Sequence, residues 1–271
     1  MSYAGHGSEL LDYKMCSYGV RGSHFRGPER CLEDPYIAVL GGNATFGRFV
    51  AEPFADRLEQ QLRQPVVNLG AMNAGLDMYV HQPELMRLVA GAEKVVIQIM
   101  GAANISNNFY RVHPRRNDRF LHASDALREL YSDIDFTEFH FTRHLLLDLH
   151  RRSPERLAVL VRDLRKTWLQ RMLWLLTKLQ GKVILLWAAD DSPCLDPEVD
   201  FTSAVPIFVT KSMVDSVRPL ALSYVEVVTD EAERSHRTQH MLFTEPEALA
   251  ARRMLPVSTH ATVAQRLAAE M

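Results

Sequence analysis

Residues Tyr36–Gly47 read YIAVLGGNATFG. The first five form an apolar run without alternation, the pattern of a strand buried on both faces of a parallel sheet. Two glycines then let the chain turn sharply, and Asn43 onward can start a helix. A strand–turn–helix of this kind is where many α/β enzymes hold a nucleophile. The slot is filled by Asn43, whose amide is no nucleophile at neutral pH.

Four further runs have the same character: Pro65–Leu69 (PVVNL), Lys94–Met100 (KVVIQIM), Lys182–Trp187 (KVILLW) and Leu222–Val228 (LSYVEVV). The segments between them can carry crossover helices, among them Arg48–Leu62 and Pro83–Gly91. The alternation predicts an α/β fold with a doubly wound, mostly parallel five-stranded sheet. Functional residues then belong at the carboxyl ends of the strands.

A helical insert, about residues 121–180, is expected between the third and fourth strands. Asp135 and Glu138 have capping-box spacing ahead of Phe139–Leu149. Ser153 and Pro154 suit N-cap and N1 of the next helix. Its face carries Leu157, Leu160, Val161, Leu164, Trp168, Met172, Leu175, Leu176 and Leu179, a core-facing stripe. Residues 1–35 lack periodicity, but four tyrosines lie within the first 36 residues. They predict an irregular arm packed on a single domain, 36–271.

Composition narrows the function classes. Of 271 residues, 47% are hydrophobic and 24% charged, enough to bury a core without metal or disulfide staples. The net charge of −2 provides no global field for nucleic acid or membrane. Cys16, Cys31 and Cys194 are odd in number and unspaced for a metal site, which favours a reducing compartment. The start, MSYAGHGSEL, has no basic or apolar leader pattern, and no apolar run reaches the ~18 residues of a membrane span. The expectation is a cytoplasmic protein without a cofactor, its oligomeric state open. His140 with His144 and His236 with His240 have i, i+4 spacing. Neither pair has a third ligand in the pattern, so no metal is expected.

Four short blocks carry a resemblance. Gly41-Gly42-Asn43-Ala44-Thr45-Phe46-Gly47 resembles the first block of the GDSL-type, or SGNH, hydrolase superfamily, G-D-S-x-T-x-G. Gly41, Thr45 and Gly47 fall in register. Gly42 stands for the aspartate and Asn43 for the serine. Gly70 matches the glycine whose backbone N–H serves the oxyanion hole. Asn104, in Gly101-Ala102-Ala103-Asn104, matches the asparagine of G-x-N with one residue extra. His260, in Val257-Ser258-Thr259-His260, matches the base of D-x-x-H, with Val257 where the orienting aspartate would be. The resemblance implies that Asn43, Gly70, Asn104 and His260 converge as a catalytic set. Asp77 and Glu245 are candidate substitute orienters of His260, although their spacing fits no family pattern. The stretches FRGPERCLEDPYIAVLGG, RFVAEPFADRLE, VNLGAMNAGLDMY and ISNNFYRVHPRRNDRFL resemble a bacterial family defined by a domain of unknown function, over nearly the whole chain.

Arg111–Arg119 (RVHPRRNDR) places four arginines in nine residues beyond the third strand. Arginine holds carboxylate, phosphate or sulfate through a planar fork. Arg115, Arg116 and Thr45 are therefore the expected substrate contacts. The competing reading is a solvated loop neutralised by Asp118 and Asp125. No aromatic-interleaved basic face extends beyond the loop, so nucleic acid is not expected. Asp190-Asp191, after the fourth run, suits a turn or a polar site. The functional expectation is an SGNH-like protein with a remodelled site that binds a small anionic or acyl ligand. Two alternatives stay open. One is a hydrolase or acyl transferase using His260 as base toward water or a substrate hydroxyl. The other is a non-catalytic binding or interaction protein.

Overall fold

The structure is a computed structural model that describes residues 10–195 and 206–271. Strand β1 (Ile37–Leu40) leads into two helices, α1 (Asn43–Phe46) and α2 (Phe54–Leu62). Strand β2 (Val66–Asn68) leads into α3 (Asp77–Val80) and α4 (Pro83–Gly91). Strand β3 (Lys94–Gln98) is followed by β4 (Tyr110–His113) and β5 (Arg116–Ala123). Helices α5 (Asp125–Leu130), α6 (Thr142–Arg152) and α7 (Pro154–Lys178) precede β6 (Val183–Ala189). Then come α8 (Lys211–Val217), β7 (Ser223–Val228), α9 (Glu231–Ser235), α10 (Ala248–Ala251) and α11 (Val257–Ala268).

Five strands form one parallel sheet in the order β2-β1-β3-β6-β7. Alternate residues of each strand serve opposite faces. Ile37 and Val39 join Val96, Ile184 and Leu186 against α2 and α11. Ala38 and Leu40 join Val95, Ile97, Leu185 and Trp187 against α4, α7 and α8. Both faces are covered, which is why the strands read as continuous apolar runs. The order reverses between β1 and β3, and ligand crevices of open α/β sheets form at such a switch point, beyond the strand ends.

The insert follows the expected caps in part. The Ser153 side chain accepts from the Arg156 N–H and Pro154 opens α7. Asp135 caps only a short 3-10 turn, and α6 begins at Thr142 rather than Phe139. The arginine-rich stretch is a correction: it is an antiparallel hairpin, β4 against β5, not a loop. Tyr110, Val112, Asn117, Phe120 and Ala123 turn inward, and the arginines occupy the other face or the tip.

The arm is fastened to the turn after β1. Val20 and Phe25 enter the core. The buried Arg26 donates through Nη1 to the carbonyls of Gly47 at 2.7 Å and Val50 at 2.8 Å, and through Nη2 to that of Ala51 at 2.6 Å. The Tyr13 ring lies under its guanidinium, and the Tyr13 hydroxyl accepts from the Phe49 N–H.

Candidate functional site

A cavity of 440 Å³ opens at the carboxyl ends of β1 and β3, the topological switch point. Gly42–Ala44 form one wall and Gln98–Asn104 much of the next. Asn73 and Ala74, Asp118, the start of α6 and the stretch from Ala250 to Leu255 complete it.

Its polar wall is one connected network. Asn43 and Asn73 exchange two hydrogen bonds: Asn43 Nδ2 donates to Asn73 Oδ1 at 2.9 Å, and the Asn73 N–H donates to Asn43 Oδ1 at 3.0 Å. Asn73 Nδ2 donates to Asp118 Oδ2 at 3.0 Å. Asn104 Nδ2 donates to the Asn73 carbonyl at 2.8 Å, and Asn104 Oδ1 accepts from Thr142 Oγ1 at 2.6 Å. Asn73 sits at φ +56, in the left-handed region that asparagine tolerates better than most residues. Gln98 Oε1 holds the turn itself, accepting from the N–H groups of Gly42 and Thr45 and from Thr45 Oγ1.

Of the expected catalytic set, Asn43 and Asn104 meet in this cavity. Gly70 lies behind it, where a Cβ would stand 2.4 Å from the Phe46 nitrogen. Its N–H already donates to Asn68 Oδ1 at 3.0 Å. Gly70 thus lets β2 and α1 pack closely and offers no donor to the cavity. Thr45 is fully buried, its hydroxyl given to Gln98. His260 is buried between α11 and α2, stacked on Phe54, with Nδ1 accepting from the Phe54 N–H at 3.1 Å. Burial, reinforced by Arg26 and Arg57, pushes its pKa down to about 3, so the ring is neutral at ordinary pH. The proposed substitute orienters are elsewhere. Asp77 pairs with Arg171 at 3.1 Å and His81 at 3.4 Å, and Glu245 lies in a surface turn.

The expected anion contacts also move. Arg115 is exposed at the hairpin tip and lies against Gly22 of the arm. The N–H groups of Arg115 and Arg116 donate to His113 Nδ1, and neither residue lines the cavity. Among the described residues, three other arginines do: Arg48, Arg143 and Arg253. Arg48 stacks on Phe49 and reaches Glu247 at 3.9 Å. The Arg253 side chain makes no hydrogen bond or ion pair among the described residues. Facing them is Asp118, whose carboxyl is raised by burial despite the Asn73 hydrogen bond and more distant arginines.

A family model covers residues 1–271. The chain belongs to the family of the domain of unknown function DUF6473. Among solved structures, this DUF6473 chain is similar to a family two carbohydrate esterase from Clostridium thermocellum, solved in complex with cellohexaose. The two share 13% identity with a TM-score of 0.39, over 92% of this chain and 66% of the esterase. A sequence comparison with curated proteins finds no match.

The histidine pairs and Asp190-Asp191 of this DUF6473 chain lie outside the cavity. Neither histidine pair shares a helical face: His140 precedes α6, and His236 and His240 follow α9. No metal-holding cluster of His, Cys, Asp or Glu occurs among the described residues. Asp190 is buried and accepts from Arg237 Nη2 at 2.8 Å. No helix among the described residues is long and apolar enough to cross a membrane. Sequence reasoning missed Asn73, Asp118 as a wall group, Thr142 and the three cavity arginines. Only the tertiary fold collects them; a lone arginine carries no local signal.

Proposed function

We propose that this chain binds a small anionic ligand in the cavity at the β1–β3 switch point and does not act through an acyl-serine. The observation that carries the reading is the convergence of Arg48, Arg143 and Arg253 on one cavity that has a single carboxylate among the described residues lining it. Guanidinium groups around a partly desolvated cavity attract carboxylate, phosphate or sulfate far more strongly than the same groups on an open surface. The network of Asn43, Asn73 and Asn104 supports binding rather than covalent chemistry. The amide in the nucleophile slot is tied to its neighbour in both directions. The histidine that would activate a nucleophile is spent on a backbone N–H in the core.

The test is thermal stabilisation at low salt by acetate, hexanoate, phosphate, sulfate and nucleotides. A probe at 100 times its Kd adds about 2.7 kcal/mol to stability. For a chain of this size that raises Tm by roughly 5–10 °C. Arg253→Ala is expected to remove most of the shift. A panel without effect on the wild type, or a full shift retained by Arg253→Ala and by Arg143→Ala, overturns the reading.

A further inference from the structure

Asp118 is the feature that a plain anion site does not explain. It is the one acidic side chain among the described residues lining the cavity. Oδ2 accepts from Asn73 Nδ2 at 3.0 Å, and no arginine or lysine forms an ion pair with it among the described residues. An ionised carboxylate has acceptor capacity for about four hydrogen bonds, so this one retains sites for further donors. A bare anion drawn in by the arginines meets a like charge in a poorly solvated wall, which costs affinity. A ligand hydroxyl turned toward Asp118 reverses the sign of that contact and makes a charge-assisted hydrogen bond. An ammonium would satisfy the carboxylate too, but the three arginines of the same cavity oppose a cation. Phe141, 50% exposed, adds an aromatic surface to the wall. Such a surface suits the C–H face of a hydroxylated ring or chain.

Building on the anion reading above, we propose that the ligand is a small polyhydroxylated anion of the sugar-acid or sugar-phosphate class. Its charged group faces Arg48, Arg143 and Arg253, and one of its hydroxyls donates to Asp118. Asp118 is thus the group that selects for hydroxylation, while the arginines select for charge. Asn73 holds the carboxylate in place through Nδ2 and is itself held by Asn43 and Asn104.

The experiment compares affinities of the wild type for gluconate, glucuronate and glucose 6-phosphate with those for hexanoate, cyclohexanecarboxylate, inorganic phosphate and alanine. Calorimetry or thermal stabilisation at low salt gives the readout. At least one hydroxylated anion is expected to bind about tenfold or more tightly than its deoxygenated counterpart. Asp118→Asn is expected to reduce that preference below about threefold while inorganic phosphate binds equally well or better. Equal binding of hydroxylated and deoxygenated anions by the wild type overturns the proposal and leaves the anion site standing. So does a preference that survives in Asp118→Asn, or alanine binding more tightly than every hydroxylated anion. Should Asp118→Asn fail to fold, the wild-type preference decides alone. Failure of every anion to bind the wild type ends the anion reading and this one with it.

Discussion

Two arginines flank the turn after β1 and are used in opposite ways. Arg26, from the arm, is buried and donates to the backbone carbonyls of Gly47, Val50 and Ala51. Arg253, from the far end of the chain, lines the cavity and has no side-chain partner among the described residues. The first serves carbonyls at and just beyond the left-handed Gly47, where α1 ends. The second keeps all five of its donors for something else. Within one small region, one arginine is a fastener and the other lines an open cavity. Burial and partners, not residue type, separate the roles.

Breaking the fastener gives the largest expected effect. Arg26→Ala removes the guanidinium from the carbonyls of Gly47, Val50 and Ala51 and is expected to cost about 3 kcal/mol, measured by urea denaturation. A cost under about 1 kcal/mol would show that water replaces the guanidinium and that the clasp is dispensable.

His260 sharpens the comparison through pH. Its folded pKa of about 3 lies below the ordinary 6.5, so its contribution to stability is complete above pH 6.5 and is lost as pH falls toward 3. Between pH 7.5 and 5 the wild type is expected to lose about 2 kcal/mol through this group. His260→Gln keeps an acceptor for the Phe54 N–H, and its stability is expected to vary less over the same interval. Parallel curves for the two proteins would place the titrating group elsewhere.

Asn43→Ser tests the turn itself. Loss of the reciprocal contact with Asn73 is expected to cost about 1 kcal/mol. The variant is expected to stay unlabelled by serine-directed phosphonates, because His260 Nδ1 is already occupied. Rapid labelling would reveal another base within reach of residue 43. The smallest effect is on the cavity side: Arg253→Ala is expected to change stability by no more than about 0.5 kcal/mol in the absence of anions. A larger loss would make Arg253 a second fastener.

The sheet was legible because its strands are covered on both faces, which removes polar interruptions from β1, β3 and β6. α7 was legible because Ser153, Pro154 and a long apolar stripe agree. The hairpin was not. Its inward residues are separated by arginines on the outer face, and the pairing contains register shifts, so no clean alternation survives. The site was legible only where it coincides with strand ends, at Asn43 and Asn104. His260 and Gly70 occupy matching places in the sequence but were matched by position alone. Position does not reveal that Phe54 and Asn68 claim their polar atoms. Asn73 gave no sign because its importance lies in a left-handed backbone conformation and in partners 30 and 45 residues away.

The short reach of the Arg26 clasp bears on the order in which the molecule assembles. Its bonds to Gly47, Val50 and Ala51 close loops of 21 to 25 residues, whereas the cavity draws together residues from Gly42 to Leu255. Small loops close at lower entropic cost than large ones, and contacts distant in sequence slow folding. Pulsed hydrogen exchange during refolding is therefore expected to protect the Phe49 amide, held by the Tyr13 hydroxyl, before the amides that line the cavity. For part of its folding time the chain has a fastened first turn and no assembled cavity.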